Sequence, residues 1–94
     1  MTQSNHILLV ENDANLSMVV ADYLRGKSYT VDTAKDGQEA WELIPKRHYD
    51  IVLSNISMPN MNGYELLKLI RSAEATLPVV FISEKKDKDS IISA

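Results

Sequence analysis

The sequence predicts an α/β protein built on a mainly parallel β-sheet. Short apolar runs typical of strands alternate with stretches whose apolar residues recur at helical spacing, and turn-forming residues separate the two. Strands that alternate with helices form βαβ units, whose crossovers place the strands side by side and parallel. With 94 residues, 45% of them hydrophobic, the chain has the size and composition of one such domain, predicted to span residues 1–94.

The first half of the chain predicts two strand–helix pairs. Residues 7–10 form a continuous apolar run, which suits a strand covered on both faces. A helix is predicted to start after Asp13 and to stop at Gly26. Its predicted core face consists of Leu16, Val19, Val20 and Leu24. Residues 29–33 are rich in β-branched side chains and predict the second strand, and the turn at 36–37 precedes a second helix. That helix is predicted to bury Ala40, Trp41 and Ile44.

The second half continues the same alternation. Residues 51–53 predict a buried third strand, and the breaker-rich loop 58–63 leads into a third helix. The predicted core face of this helix consists of Leu66, Leu67, Leu69 and Ile70. Residues 79–82 follow a proline and predict the fourth strand. Residues 87–94 predict the start of a fourth helix, with Ile91 and Ile92 facing inward.

The composition excludes several classes of function. A net charge of -3, with both signs mixed along the chain, argues against a nucleic-acid or anionic-membrane surface. The absence of cysteine excludes disulfides, thiolate zinc sites and a cysteine nucleophile. No apolar run approaches the ~18 residues of a transmembrane helix. Residues 1–6 lack the apolar segment of a signal peptide, so we expect a cytoplasmic protein.

Ligands of open α/β sheets bind beyond the carboxyl ends of the strands. The polar residues that follow the first, third and fourth strands are Glu11, Asn12 and Asp13, then Asn55 and Ser57, then Ser83. A purely structural interpretation exists for each group. Residues 11–13 suit an ordinary helix N-terminus, where side-chain oxygens accept from free amides. Ser83 suits a strand-end serine that satisfies loop amides.

Three segments resemble motifs of the receiver domains of bacterial two-component response regulators. They are ILLVEND at 7–13, YDIVLSNISMPNMNG at 49–63 and LPVVFIS at 77–83, and DGQEA at 36–40 resembles the start of the family's second helix. The segments follow the family's order and spacing over nearly the whole chain. The resemblance implies a doubly wound, flavodoxin-like parallel sheet of order 2-1-3-4-5. The fifth strand and last helix are missing here, which indicates a piece of a longer protein.

The resemblance also implies a phosphoryl switch. In the family, an aspartate four residues before the Met-Pro proline accepts phosphate from a histidine kinase. An acidic pair after the first strand holds Mg²⁺, and a Ser or Thr after the fourth strand contacts the phosphoryl oxygens. The chemistry suits these residue types, because a carboxylate can attack phosphorus. Mg²⁺ prefers oxygen ligands and offsets the charge of the transferring group.

This chain departs from that pattern. Asn55 stands at the phosphoacceptor position, and its carboxamide is a poor nucleophile because the nitrogen lone pair is delocalised into the carbonyl. Asn12 stands at the second acidic position, whereas Glu11 keeps the charge of the first. The resemblance assigns phosphate contacts to Ser83, Asn55 and Ser57. It assigns the metal to Glu11 and Asn12, with Mg²⁺ binding weakened or lost, so we expect no catalytic residue, no resident cofactor and no enzyme activity.

Several interpretations of Asn55 stay open at this point: a natural pseudo-receiver substitution, an engineered inactivating change, or a structural polar residue. Departures at two positions, Asn12 and Asn55, favour the first. The leading hypothesis is a regulatory interaction module whose partner is a histidine kinase or an output domain of a longer chain. The alternative is a Mg²⁺-dependent phosphoacceptor that uses another group. Without a fifth strand, the fourth strand would be an exposed edge, so self-association through residues 79–82 is also predicted.

Overall fold

The protein forms a single sheet with helices packed against both of its faces. The structure, a computed structural model, describes residues 5–73 and 76–82 and the backbone of 91–93. The strands are β1 (His6–Val10), β2 (Thr30–Ala34), β3 (Ile51–Asn55), β4 (Val79–Ile82) and β5 (Ile91–Ser93). They lie in the order β2-β1-β3-β4-β5. The first four run parallel, which confirms the predicted order 2-1-3-4.

Three α-helices connect the parallel strands. They are α1 (Ala14–Gly26), α2 (Gly37–Leu43) and α3 (Gly63–Ala73), and a 3₁₀ turn at Ile44–Lys46 follows α2. Pro45 lies in this turn, where a missing backbone donor ends the α-helical hydrogen bonding. The helices and strands of the first three βα units therefore agree with the sequence prediction to within a few residues.

The core has two apolar layers, one on each face of the sheet. Leu8 and Val10 of β1 are fully buried and face the layer that also contains Val52 and Phe81. Ile7 and Leu9, which alternate with them, face the smaller layer beneath α1, where Ala21 and Val31 complete the cluster. A strand buried on both faces needs apolar side chains at consecutive positions, which explains the unbroken run at 7–10.

The predicted core face of α1 is partly wrong. Val19 is 63% exposed, whereas the buried positions of the helix are Ser17 and Ala21. Leu16, Val20 and Leu24 are partly buried beside them. Small residues let the helix backbone approach the sheet closely, so the contact stripe is centred on them and not on the larger apolar side chains.

The prediction of a helix from residue 87 is wrong for residues 91–93. These form β5, which runs antiparallel to β4, with Ile92 opposite Phe81. Two adjacent β-branched residues favour a strand over an amphipathic helix, and the backbone groups along β4 supply hydrogen-bond partners. The fourth-strand edge expected to be exposed is therefore covered in the structure. β5 occupies the place in the sheet that the resemblance gave to the family's fifth, parallel strand.

Candidate functional site

Three of the predicted site residues meet at the carboxyl ends of β1 and β3. The two strands are adjacent and parallel, and the register pairs Val10 with Ser54, so the residues that follow each of them lie side by side. Asn55 is the last residue of β3 and is 7% exposed. Its side-chain Nδ2 donates to Glu11 Oε2 at 3.2 Å and to Asn12 Oδ1 at 3.3 Å.

The orientation of the Asn55 amide follows from the chemistry of its neighbour. An ionised carboxylate can only accept hydrogen bonds, so the nitrogen and not the oxygen of the amide must face Glu11. Glu11 is itself buried, 7% exposed, and its Oε2 also accepts from the backbone N–H of Asp13 at 3.0 Å. Hydrogen bonds to an ionised acceptor are stronger than neutral ones. Glu11 therefore joins the end of β3 to the start of α1.

Asp13 works as the N-cap of α1. Its Oδ1 accepts from the backbone N–H of Asn15 at 2.9 Å and of Leu16 at 3.1 Å. These bonds satisfy two of the free amides of the first turn, and they confirm the capping role that the sequence suggested. Asp13 Oδ1 is thus committed to the helix. Asn12, between Glu11 and Asp13, is exposed.

Only one of the two serines assigned to phosphate contacts lies among the residues that the structure describes. Ser57 lies at the same end of the sheet, two residues beyond Asn55, in the loop between β3 and α3, and its side chain is exposed. Ser83 lies outside the described residues. Contacts of either serine with a phosphoryl group stay predictions.

A carboxylate on the neighbouring βα unit anchors the loop after β3. Asp36 is 3% exposed and caps α2, because its Oδ1 accepts from the backbone N–H of Glu39 at 2.9 Å. Its Oδ2 accepts from Asn60 Nδ2 at 2.7 Å, a contact that we call the loop bridge. The Glu39 amide, and after it the Asn60 amide, lower the pKa of Asp36 below its usual value. The bridge spans 24 residues of sequence, and no local signal predicts it.

Two glycines allow the loop to lie against its neighbours. The backbone N–H of Gly37 donates to the carbonyl of Met61 at 3.2 Å, and a Cβ on Gly37 would lie 2.5 Å from that oxygen. A Cβ on Gly63 would lie 2.6 Å from the carbonyl oxygen of Asn55 and 2.9 Å from Cε1 of Phe81. The loop is therefore held at both ends by contacts that a side chain would block.

A second polar cluster lies near the amino end of the sheet. Asp32 Oδ2 accepts from the hydroxyl of Tyr49 at 2.8 Å, and it lies 3.1 Å from His6 Nε2 and 3.6 Å from Arg47 Nε. Burial acts to raise the pKa of Asp32, but the Tyr49 hydroxyl and the Arg47 charge outweigh it, so the pKa is lowered. Burial and the bond to Asp32 raise the pKa of Tyr49 above its usual value.

Carboxylates and imidazoles are not grouped as a metal centre in the part of the chain that the structure describes. No set of three or more His, Cys, Asp or Glu side chains there is arranged to hold an ion. Among the same residues, no helix has both the length and the apolar character needed to cross a membrane.

Comparison with known proteins identifies the family. The family model of the response regulator receiver domain matches residues 7–94. The transcriptional regulatory protein RprY of Bacteroides fragilis (strain YCH46) is 33% identical over 92 residues, which cover 98% of this chain and 39% of RprY. The sensor histidine kinase RcsC of Escherichia coli (strain K12) is 42% identical over 77 residues, 82% of this chain and 8% of RcsC. The chain thus spans less than half the length of either relative.

A solved structure gives the same answer for the fold. The response regulator protein TrrA from Thermotoga maritima, in complex with Mg²⁺ and BeF, superposes with a TM-score of 0.83 at 27% sequence identity. The match covers 87% of this chain and 71% of TrrA. The chain therefore belongs to the response regulator receiver domain family and has its flavodoxin-like parallel sheet.

Proposed function

We propose that this receiver domain of a two-component response regulator does not accept phosphate at Asn55 and acts instead as a regulatory protein-interaction module. The observation that carries the proposal is the arrangement of the Asn55 side chain. Its nitrogen is held between Glu11 and Asn12, at the position where the family presents a carboxylate.

The bonding of Asn55 explains why it should not react. Phosphorylation of a receiver forms a bond between a carboxylate oxygen and phosphorus. The amide nitrogen of Asn55 has no available lone pair, and it already donates to two oxygens. The amide oxygen carries no formal charge. The carboxylate to which Asn55 is bonded, on Glu11, also accepts from the backbone of Asp13 and is buried.

The surface of α1 supports a role in protein contacts. Met18, Val19 and Tyr23 are large apolar side chains of this helix and are 58%, 63% and 64% exposed. Neighbouring exposed apolar side chains favour contact with another protein surface. The partner in this proposal is a histidine kinase or an output domain of a longer chain. The cytoplasmic location expected from the sequence is part of the same proposal.

Incubation with acetyl phosphate and Mg²⁺, followed by intact-mass measurement, tests the proposal. We expect no increase in mass, because none of the carboxylates among the described residues occupies a position like that of Asn55. A receiver that carries aspartate at this position, treated in parallel, is the positive control. A stoichiometric adduct that is stable in acid and labile in base would contradict the proposal. Its location by peptide mapping would then identify the group used instead.

A further inference from the structure

We infer that the Asn55 amide occupies the position of the divalent cation of a receiver site and thereby excludes that cation from this chain. The site is held together by N–H donors in place of a metal. The inference deepens the proposed function and rests on it, because both depend on the same side chain. It concerns metal binding, however, and not phosphate transfer, so the two can be tested apart.

The donor set of the site does not fit Mg²⁺. This ion binds oxygen ligands, usually with one or two carboxylates and substrate phosphates among them. Glu11 contributes one carboxylate, whereas Asn12 contributes only a neutral amide oxygen. Asn55 turns its nitrogen toward both of them. The second carboxylate of the segment, on Asp13, caps α1 through its Oδ1.

The geometry places the amide hydrogens where a cation would have to lie. Two oxygens from the end of β1 converge on Nδ2, at 3.2 Å from Glu11 and 3.3 Å from Asn12. A cation bound to these oxygens would meet the partial positive charge of the amide hydrogens. The Asn55 side chain would have to rotate away, and both hydrogen bonds would be lost.

The same two hydrogen bonds stabilise the site in the way that a bound metal would. They link the end of β1 to the end of β3 and provide positive partial charge next to a buried carboxylate. A buried charge is stable only when it has such partners. The loop after β3 starts at the next residue, so the amide also fixes the point from which that loop leaves the sheet.

Thermal unfolding of two charge-matched variants tests the inference. Asn55→Asp puts a carboxylate beside Glu11, and Asn62→Asp adds the same charge at the start of α3. Asn62 Oδ1 accepts from the Glu65 N–H at 2.9 Å, a bond that a carboxylate preserves. Each protein is unfolded with EDTA and with millimolar MgCl₂ at matched ionic strength. Mn²⁺ binding to the unaltered chain, measured by electron paramagnetic resonance, gives a second readout.

We expect the Tm of the unaltered chain and of Asn62→Asp not to respond specifically to Mg²⁺. Asn55→Asp should have a lowered Tm in EDTA, because two carboxylates face each other. Mg²⁺ should raise that Tm by on the order of a few degrees, as expected for a ligand that binds only the folded state. No Mn²⁺ should be bound at this site of the unaltered chain.

Two results would overturn the inference: specific binding of Mg²⁺ or Mn²⁺ by the unaltered chain, and failure of Mg²⁺ to stabilise a folded Asn55→Asp variant. The second would show that the amide alone does not exclude the metal. If Asn55→Asp does not fold in either condition, the Mn²⁺ measurement on the unaltered chain decides the question. An unaltered chain that binds Mg²⁺ but takes no phosphate would refute this inference and leave the proposed function standing. Phosphorylation of the chain on another group, without Mg²⁺ bound at this position, would refute the proposed function and leave this inference standing.

Discussion

At the scale of single residues, the loop after β3 is fixed by two side chains of opposite character. Asn55 uses one nitrogen to donate to two oxygens, and Asp36 uses two oxygens to accept from two nitrogens. One acts where the loop leaves the sheet and the other near its far end. The loop is thus positioned by polar contacts between specific atoms. Replacing one of these oxygens by a nitrogen, or the reverse, should therefore lower the stability of the protein.

Asp36 should make the protein sensitive to acid. Its pKa is lowered in the folded state, so its contribution to stability is present above its usual pKa of about 3.9 and is lost as pH falls through the folded value. Asp36→Asn cannot be ionised and has one acceptor oxygen for two donors. We expect it to be less stable by about 1–2 kcal/mol at neutral pH. The difference from the unaltered chain should narrow as the pH falls below about 4.

Urea unfolding at a series of pH values measures this difference. Asp32 also has a lowered pKa and weakens both proteins in acid, so only their difference isolates Asp36. Asp22→Asn is the matched control, because the Asp22 side chain is 71% exposed and lies 3.9 Å from Arg25. Exposed pairs of this kind contribute little. A difference that stays constant down to the lowest pH would show that the charge of Asp36 is not what holds the loop.

The sequence predicted which residues meet at the site but not how they bond. Glu11, Asn12 and Asn55 come together because each lies at the end of a strand or directly after it, and parallel neighbours end at one edge of the sheet. The direction of the Asn55 amide depends on which neighbours are acceptors, which only the assembled structure shows. The loop bridge depends on Asn60, whose φ of 68° places it in the left-handed region. No motif in the sequence specifies that conformation.

At the scale of elements, the helices are placed by close approaches at their first turns. Gly63 begins α3 against the Asn55 carbonyl and the Phe81 ring, and Gly37 begins α2 against Met61. The Asn62 and Asp36 side chains cap the same two helices. Helix starts and the site loop are therefore one packed unit.

Substitution of the glycines by alanine tests how much these close approaches contribute to stability. Gly63→Ala should destabilise the protein by about 1–3 kcal/mol, because its Cβ meets a backbone oxygen and a buried ring that cannot both move aside. Gly37→Ala should cost a similar amount, because its Cβ would crowd the Met61 carbonyl. Gly26→Ala is the control, since nothing lies within 4 Å of its Cβ. It should be neutral or stabilising by up to about 1 kcal/mol.

Denaturant unfolding with a common slope gives all three values. Equal stability of Gly63→Ala and Gly26→Ala would refute the importance of the contacts of Gly63.

The pattern of apolar residues correctly predicted that these elements exist. It did not predict the rotation of α1, which turns Val19 outward, because small residues such as Ala21 carry a weak hydrophobic signal yet allow the closest packing.

At the scale of the whole molecule, the order of the four parallel strands was predictable and the fifth strand was not. Apolar runs and right-handed crossovers restrict the arrangement of β1 to β4, and the resemblance to receiver domains gives their order. The placement of residues 91–93 depends on the backbone groups that β4 presents at its outer side. That is a long-range effect, and no helical or strand periodicity in the sequence indicates it.

The pairing of β5 with β4 should limit self-association. Ile92→Pro removes a backbone donor and introduces a residue that is poorly tolerated inside a strand, so it should uncover the edge of β4. Exposed apolar edges pair with other chains. We expect sedimentation velocity at increasing concentration to show more self-association for this variant than for the unaltered chain. Val19→Ser is the second variant, because it makes the surface of α1 less apolar and keeps the helix, which Val19→Pro would break.

Equal association of Ile92→Pro and the unaltered chain would mean that the antiparallel strand does not protect the sheet. If Val19→Ser reduces association while Ile92→Pro has no effect, the surface of α1 is responsible instead.

The position of the single tryptophan gives the molecule an intrinsic optical reporter. Trp41 lies on α2 and packs against the larger apolar layer. The first turn of α2 is joined to the loop after β3 through Asp36 and Gly37. A displacement of that loop would move the indole relative to its surroundings and alter its emission. Rearrangements near Asn55 can therefore be followed in solution without an attached dye.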